Sequence, residues 1–299
     1  MAKASAGRSA LSRTMQLLAA FDVDAVFLSI SQLSRRSGMP LATTHRLVAE
    51  LEEFGLLERQ PDKTYRLGVR LWELACRTPG ALGLREIAMV HLQAVQSRVR
   101  QHTQLGILEG NEVLFLERLS ARDAVVNVTL VGGRLPLHAS SSGLVLLAHA
   151  PEAYQEDIVR KELFQYTDHT IRDPEDLRRT LHEIRRSGHV VASGYIHPDA
   201  RGIAVPVFGV NDAVVAGVSV VVPNDDAPVL PLVGLLKAAS RAITKDLLAA
   251  YAPTGSAAAG SRYRTLVGSS VDSLEYLPSA PRPDRTPAGP GLRRDGTKG

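Results

Sequence analysis

The stretch from Ser29 to Phe54, SISQLSRRSGMPLATTHRLVAELEEF, decides the fold of the N-terminal part of this chain. Ser29 and Gln32 form a capping box, in which each side chain satisfies a backbone amide that the first turn of a helix leaves unpaired. Gly38 ends that helix. Pro40 opens the next one, because a proline in the first turn sacrifices no helical hydrogen bond. So short an interval between two helices is typical of a helix-turn-helix.

The second helix of this pair, residues 40–54, has two faces of different chemistry. At about 100° per residue, one face collects apolar side chains and one threonine, and we expect it to be buried: Thr44, Leu47, Val48, Leu51 and Phe54. The opposite side begins small, polar and basic: Ala42, Thr43, His45 and Arg46. The major groove of DNA admits one α-helix whose outward side chains can approach or pair with base edges. The pattern therefore predicts a recognition helix.

Further elements flank this pair on both sides. A short amphipathic helix is predicted from Ser9, with its apolar face at Leu11, Met15, Leu18 and Phe21. Two β-like segments follow the recognition helix, joined by a turn at Pro61-Asp62-Lys63: Leu56 to Gln60 and Thr64 to Leu67. Three helices and a β-hairpin in this order indicate a winged helix-turn-helix, which we assign to residues 9–70.

The rest of the chain predicts an α+β domain. Residues 71–84 are assigned to a linker, followed by a helix from Leu84 to His102. The apolar period then changes from 3.6 to 2, with a hairpin across Gly110-Asn111 and a third strand from Val125 to Val131. Alternating helices and strands continue to residue 251, so we assign 85–251 to one α+β domain. Residues 252–299 are rich in Pro, Gly, Ser and Ala and are predicted to be disordered.

Composition narrows the class of protein. Hydrophobic residues make up 44% of the chain and charged residues 22%, as in ordinary globular proteins. The most apolar stretch, Ala213 to Val222, is about half the length that a membrane-spanning helix needs. The N-terminus lacks the apolar core of a signal peptide. Cys76 is the only cysteine, which excludes a disulfide framework and a Cys-based zinc finger. We therefore expect a cytoplasmic protein with no membrane contact.

Positive charge is concentrated at the two ends. Residues 1–77 carry 11 Lys and Arg against 8 Asp and Glu, residues 252–299 carry 7 against 4, and the middle carries 17 against 19. Binding to DNA phosphates needs local positive charge. Arg46 is the best candidate for a bidentate contact with guanine or phosphate, because its planar fork suits both. The other candidate contacts are Arg35, Arg36, Ala42, Thr43, His45, Arg59, Lys63 and Arg66, with ordinary surface charge as the alternative for the basic ones.

Five motifs in order resemble the IclR family of bacterial transcriptional regulators, over about residues 9–251. They are LATTHRL at 41–47, YRLG at 65–68, LPLHAS at 135–140 before Gly143, Thr170-Ile171 with Arg185-Arg186-Ser187-Gly188, and IAVPV at 203–207. The resemblance implies a winged helix-turn-helix followed by a GAF-like effector-binding domain. It also implies a homodimer or homotetramer on a palindromic operator in double-stranded DNA. Such regulators respond to small organic acids or aromatic metabolites, and more of them repress than activate.

The resemblance places an effector pocket at eight positions: Ala124, Asn127, Ser141, Ser142, Gly143, Ala192, Gly202 and Ser219. The free amides of a helix N-terminus, with hydroxyls nearby, can hold a carboxylate. Capping of that helix is the alternative role of the serines.

Relatives that bind small oxo acids usually carry an acidic residue in place of Ala192 and a cysteine in place of Gly202. We therefore expect a roomier, less polar pocket than one for glyoxylate or pyruvate, and a larger, more aromatic effector.

Other functional classes have weaker support. The sequence contains no Gly-x-Ser-x-Gly elbow, phosphate-binding loop or dinucleotide fingerprint. His138 lies close to three serines, 140–142, which leaves a hydrolase-like enzyme as an alternative, but no acidic partner stands out. Six histidines between residues 138 and 197 lack the spacing of metal ligands. We expect no enzyme activity, cofactor or metal. The remaining alternative is a metabolite sensor whose N-terminal domain contacts other proteins.

Overall fold

The computed structural model describes residues 9–22, 24–76, 79–209 and 212–251, with the backbone alone at 79–82 and 251. The tail 252–299, for which we predicted disorder, lies outside the described residues. Within the described part of the chain, no helix is long and apolar enough to cross a membrane.

Three helices form the N-terminal domain: α1 (Ala10–Leu18), α2 (Ile30–Ser37) and α3 (Leu41–Glu53). The capping box of α2 is present, with Gln32 N–H donating to Ser29 Oγ and the Gln32 side chain bonded to the Ser29 amide. Gly38 ends α2 in the left-handed conformation, with a φ of 64°. The predicted boundaries of α2 are thus confirmed, and α3 follows after the short interval that was predicted. Buried leucines of all three helices form one core, among them Leu17, Leu33, Leu47 and Leu51.

The wing also forms as predicted. Strands β1 (Leu57–Arg59) and β2 (Tyr65–Leu67) pair antiparallel, with Glu58 opposite Arg66. At the turn, Asp62 Oδ1 accepts hydrogen bonds from the Thr64 amide at 3.0 Å and the Thr64 hydroxyl at 2.6 Å. Two backbone hydrogen bonds between Leu28 and Tyr65 join the segment before α2 to the wing as an isolated β-bridge, which was not predicted.

Two predicted faces of these helices are wrong in part. Leu11 and Met15 of α1 are exposed, because Leu17 and Ala20 take the buried side of the helix. Phe54 is 63% exposed, since α3 ends at Glu53 and Gly55, with a φ of 69°, turns the chain away toward β1. Thr44, by contrast, is fully buried as predicted.

The residues predicted as a linker are largely helical. Helix α4 (Val69–Ala75) follows the wing directly, and α5 (Pro79–Val99) begins before the predicted start at Leu84. The side chain of Leu84 is already part of a buried core. The predicted C-terminal end of this helix at His102 is wrong. The chain leaves the helix at Arg100, whose φ is 53°, and His102 begins a strand.

The C-terminal domain is built on one six-stranded antiparallel sheet with the order β5-β4-β3-β8-β7-β6. Its strands are β3 (His102–Glu109), β4 (Glu112–Ser120), β5 (Arg134–Pro136), β6 (Val190–Ser193), β7 (Ala200–Phe208) and β8 (Val214–Pro223). The remaining helices are α6 (Ser141–Ala148), α7 (Glu152–Val159), α8 (Pro174–Ser187) and α9 (Leu230–Tyr251). Side chains of α5 and α9 pack into one core and those of α6, α7 and α8 into another. Because both faces of the sheet are covered, its central strands are buried almost without alternation.

The predicted third strand from Val125 to Val131 is wrong. The edge of β4 pairs instead with β5, farther along the chain. The backbone of the segment is held mainly by side chains. The Val125 amide donates to Gln101 Oε1 at 2.8 Å, His102 Nε2 bonds to the Val125 carbonyl at 2.6 Å, and an Arg118 guanidinium donates to the Thr129 carbonyl. The segment therefore runs as an irregular strap, which we call the 124–131 strap.

Candidate DNA interface and effector cavity

The outward face of α3 presents the residues that we predicted to meet DNA. Ala42, His45 and Arg46 are exposed, and Thr43 is half-buried. Thr44 turns inward and donates from Oγ1 to the Pro40 carbonyl at 3.1 Å. The first turn of the helix therefore carries small side chains, Ala42 and Thr43, on its outer side, as close approach to base edges requires.

The two most prominent arginines of this surface are paired with carboxylates. Arg46 forms an ion pair with Glu50, one turn later on α3, with both side chains about half exposed. Arg66 donates from Nε and Nη2 to Glu58 Oε2, at 3.0 and 2.8 Å, across the wing. Exposed pairs of this kind stabilise a fold only slightly and exchange readily for other partners.

The remaining basic candidates lie around the same two elements. Arg36 donates from Nε to the Ala20 carbonyl at 2.7 Å, which ties the last turn of α2 to the end of α1. Arg35, Arg59 and Lys63 are exposed, and none of them has a carboxylate partner among the described residues. Lys63 lies at the tip of the wing with a φ of 66°.

A cavity opens in the C-terminal domain, between the N-terminus of α6, the strap and the ends of β6 and β7. Five of the eight predicted effector residues line it: Asn127, Ser141, Ser142, Ala192 and Gly202. Gly143 and Ser219 are buried behind the wall, and Ala124 lies outside the lining. Lining residues that the sequence analysis missed include Gln104, Phe115, Thr129, Tyr195 and His197.

The N-terminus of α6 supplies the most polar part of the wall. Ser140 caps the helix, with its Oγ accepting from the Gly143 amide at 3.1 Å. The amides of Ser141 and Ser142 belong to the first turn, where no helical carbonyl can accept them. Gly143 is required by close packing, because a Cβ there would lie 2.5 Å from the Leu137 carbonyl oxygen. These features leave unpaired N–H donors at one end of the cavity, the arrangement with which a helix N-terminus can hold an anion.

A chain of hydrogen bonds runs from this helix to the strap. Ser142 Oγ donates to Ser219 Oγ at 2.9 Å, Ser219 Oγ donates to Gln104 Oε1 at 3.2 Å, and Gln104 Nε2 donates to Thr129 Oγ1 at 2.5 Å. Thr129 in turn donates to the Asn127 side chain. Gln104 is a polar residue in the middle of a buried strand, and that was the one sequence signal that could have pointed to it.

The cavity is mainly apolar, and no Asp, Glu, Lys or Arg occurs among its described lining residues. The ring of Phe115 and the side chains of Val126 and Leu135 contribute to its apolar wall. Burial raises the pKa of the Tyr195 hydroxyl, and the charge of Asp176 adds to this effect. Tyr195 therefore remains a neutral phenol at physiological pH.

The hydroxyls near His138 are bonded elsewhere. His138 Nε2 lies 2.9 Å from the Phe164 carbonyl, and burial lowers the pKa of the ring despite this hydrogen bond. Ser140 donates to the Pro136 carbonyl at 3.2 Å, and Ser142 donates to Ser219. The described residues include no cluster of three or more His, Cys, Asp or Glu side chains that could hold a metal ion.

A winged helix-turn-helix followed in the same chain by an α+β domain with a small-molecule cavity defines a ligand-responsive DNA-binding regulator. Comparison with known families agrees. The IclR helix-turn-helix domain matches residues 10–61, and the bacterial transcriptional regulator IclR C-terminal domain matches residues 77–245. The chain belongs to the IclR family of bacterial transcriptional regulators, and its sensor domain is GAF-like, as the sequence predicted.

The matched region spans most of the length of individual relatives. The HTH-type transcriptional regulator XynR of Escherichia coli is 32% identical over 211 residues, 69% of this chain and 83% of the relative. KipR of Bacillus subtilis is 30% identical over 194 residues, 64% of this chain and 78% of the relative. A crystal structure of an IclR homolog from Microbacterium hydrocarbonoxydans, complexed with 4-hydroxybenzoate, is 48% identical with a TM-score of 0.78, covering 81% of this chain and all of that one.

Proposed function

We propose that this regulator binds a palindromic operator as a homodimer or homotetramer, and that a monocyclic aromatic acid in the cavity modulates this binding. The observation that carries the effector proposal is the lining of the cavity. Its walls are aromatic and aliphatic, and an anion-binding helix N-terminus lies at one end. Such a site suits a ligand with one carboxylate on a flat apolar body.

The chemistry of each part supports this choice. The amides of Ser141 and Ser142, aided by the positive end of the α6 dipole, donate hydrogen bonds to the carboxylate. Phe115 and Leu135 cover the aromatic ring of the ligand. An oxo acid of two or three carbons has no ring and would leave these two side chains without a contact. Ala192 adds no charge to the wall. The 4-hydroxybenzoate complex of the 48% identical relative is the independent support for an aromatic acid.

Thermal unfolding of the purified protein with four acids tests the effector class. We expect 4-hydroxybenzoate and benzoate to raise Tm, since a ligand at about 100 times its Kd adds about 2.7 kcal/mol to the free energy of unfolding. Glyoxylate and pyruvate, at equal concentration and pH, are the matched controls. Stabilisation by the two oxo acids alone would disprove an aromatic effector.

For the DNA side, we propose contacts from α3, from the end of α2 and from the wing. Arg46, His45, Thr43 and Ala42 approach base edges and phosphates, whereas Arg35, Arg36, Arg59, Lys63 and Arg66 meet the backbone. Two recognition helices in a dimer fit half-sites about one helical turn, or a multiple of it, apart. Repression is the more frequent mode in this family, and action on DNA implies a cytoplasmic location.

A mobility-shift assay with the DNA upstream of the protein's own gene tests this part. We expect a saturable complex whose footprint contains two inverted half-sites, and whose affinity changes when the effector is added. A scrambled duplex of the same length and base composition is the control. Equal affinity for both duplexes would leave only non-specific binding and contradict the proposal.

We also propose that the chain has no catalytic activity. The support is geometric, since the Ser140 and Ser142 hydroxyls donate to other acceptors and His138 Nε2 is bonded to a carbonyl. A nucleophilic serine needs a hydrogen bond to a base. Turnover of a 4-nitrophenyl ester that is lost in Ser142→Ala would contradict this proposal.

A further inference from the structure

Asn127 in the strap holds a buried hydrogen-bond donor that the protein does not use. Its Oδ1 accepts from the Thr129 backbone amide at 3.0 Å and also from the Thr129 hydroxyl. Because a backbone N–H can only donate, the atom facing it must be the amide oxygen, which fixes the orientation of the side chain. The Asn127 Nδ2 atom is buried and has no acceptor among the described residues.

The surroundings of Asn127 hold this orientation in place. The Thr129 hydroxyl accepts from Gln104 Nε2 at 2.5 Å, so its own proton is directed to Asn127. Gln104 is in turn bonded to Ser219, which receives the Ser142 hydroxyl. Ser142, Ser219, Gln104 and Thr129 each donate a hydrogen bond to the next side chain in this series, whereas Asn127 at its end donates none. A buried donor without an acceptor is costly, and functional sites are one place where such a group is retained.

Asn127 and the α6 N-terminus lie in different parts of the cavity wall. Three side chains, from β8, β3 and the strap, separate Asn127 from Ser142 along the hydrogen-bond chain. Asn127 lines the cavity between Val126 and Val128, which are also lining residues. A ligand whose carboxylate is held by the α6 amides therefore has its ring and ring substituent available to the strap.

We propose that Asn127 Nδ2 donates a hydrogen bond to an oxygen substituent on the ring of the effector, and so selects hydroxyl-substituted aromatic acids. This inference rests on the proposed aromatic-acid function and adds the chemistry of the second contact. The carboxylate is held at α6 and the hydroxyl oxygen at Asn127. An acid without an acceptor on the ring leaves the Asn127 donor unpaired and binds more weakly.

Three acids of similar shape distinguish this contact in a calorimetric titration of the full chain. The hydroxyl oxygen of 4-hydroxybenzoate accepts a hydrogen bond, the amino group of 4-aminobenzoate mainly donates, and benzoate has no ring substituent. The wild-type protein should bind 4-hydroxybenzoate about tenfold more tightly than 4-aminobenzoate, the effect of one buried hydrogen bond.

Asn127→Asp is the decisive variant. It keeps an oxygen for the Thr129 amide but replaces the donor with an acceptor. Both the hydroxyl and the amino group can donate to that acceptor, so the wild-type preference for 4-hydroxybenzoate should fall to a ratio close to one. Each affinity is expressed relative to benzoate in the same variant, which removes the effect of added charge on every acid. Asn111→Asp, at an exposed residue of the β3–β4 turn, is the matched control and should keep the wild-type ratio.

A second variant guards against loss of folding. Asn127→Leu removes both polar atoms, and should bring the hydroxyl-to-amino affinity ratio close to one while benzoate still binds. An unchanged ratio in both Asn127 variants would overturn the inference and leave the aromatic-acid function intact. A ratio that changes only in Tyr195→Phe would assign the hydroxyl contact to Tyr195 and also overturn it. Failure of all three acids to bind the wild-type protein would overturn the proposed function itself.

Discussion

Gly202 on β7 and Ser141 at the start of α6 are packed so closely that a side chain at position 202 would meet Ser141. A Cβ built at Gly202 would lie 2.7 Å from Ser141 Oγ and 3.1 Å from Ser141 Cβ. In the sheet, Gly202 is paired with Ala192 of β6, so two small residues lie side by side in the cavity wall. The space beside Gly202 is thus occupied by Ser141, which places the N-terminus of α6 against the sheet.

This contact predicts that Gly202→Ala weakens effector binding. The added methyl group displaces Ser141, and overpacking of this kind costs about 1–3 kcal/mol. We expect at least a tenfold loss of affinity for 4-hydroxybenzoate in calorimetry, together with a lower Tm.

Gly234→Ala on α9 is the control, because a Cβ there meets nothing within 4 Å. It should raise stability by up to about 1 kcal/mol through helix propensity. Equal affinities in the two variants would contradict a steric role for Gly202.

The Arg46–Glu50 pair predicts opposite effects of two substitutions on DNA binding. Arg46→Ala removes a base or phosphate contact and should lower operator affinity at least tenfold. Glu50→Gln frees the guanidinium and removes a charge that repels phosphate, so it should raise affinity for operator and for non-specific DNA alike. Both are measured by fluorescence anisotropy at one fixed salt concentration.

Oligomeric state and far-UV circular dichroism provide the controls for that pair of variants. Both variants should match the wild type in these two measurements, since an exposed ion pair contributes little to stability. Unchanged operator affinity in Arg46→Ala would show that α3 is not the reading helix.

The parts of the fold that were predictable are those decided by local chemistry. Three features that depend on a few neighbouring residues formed as expected: the capping box at Ser29, the helix end at Gly38 and the turn at Pro61-Asp62-Lys63. The strap was mispredicted because its alternating apolar residues resemble a strand. Its hydrogen bonds go to side chains distant in sequence, such as Gln101 and Arg118.

The candidate site was predictable only where the family motifs reach. The serines at the start of α6 were predicted as site residues from such a motif. Asn127 and Gly202 were predicted because they occupy positions of the family's effector pocket. The role of Gln104 depends on partners 25 and 115 residues away in the chain, and no periodicity reveals such distant contacts. The pairing of Arg66 with Glu58 follows from the register of β1 and β2, because the two residues lie opposite each other. The length of the hairpin turn sets this register, so the pair was predictable from the sequence.

Lys63 at the wing tip predicts a separation of stability from DNA binding. Its φ of 66° costs a residue with a Cβ about 1 kcal/mol, and glycine avoids this cost. Lys63→Gly should therefore leave the free energy of unfolding unchanged or raise it slightly. The loss of one phosphate contact should weaken binding to all DNA sequences, and reduce the slope of log K against log salt by about 0.9.

Lys63→Gln is the control for that substitution, since it removes the charge and keeps the backbone cost. It should show the same change in salt slope as Lys63→Gly, with no gain in stability. A loss of affinity confined to one operator sequence would argue for a base contact by Lys63 instead.

Two buried histidines predict that acid destabilises the C-terminal domain. Burial lowers the pKa of His102, and the charge of Arg118 lowers it further, although the hydrogen bond to the Val125 carbonyl opposes this. Burial likewise lowers the pKa of His138, against the hydrogen bond to Phe164. The unfolded chain takes up these protons near its ordinary pKa of about 6.5, whereas the folded chain takes them up only at lower pH. The unfolded state therefore binds more protons in this window, and stability falls as pH decreases below about 7.

Urea unfolding at several pH values between 7.5 and 5 measures this effect. Each histidine can add at most about 1.4 kcal/mol per pH unit to the slope of the unfolding free energy. His102→Gln and His138→Gln should each flatten the slope, and His182→Gln, at an exposed residue of α8, is the control for removing a histidine. An unfolding free energy that increases toward pH 5, or a slope unaffected by both substitutions, would show that these two histidines do not couple protonation to folding.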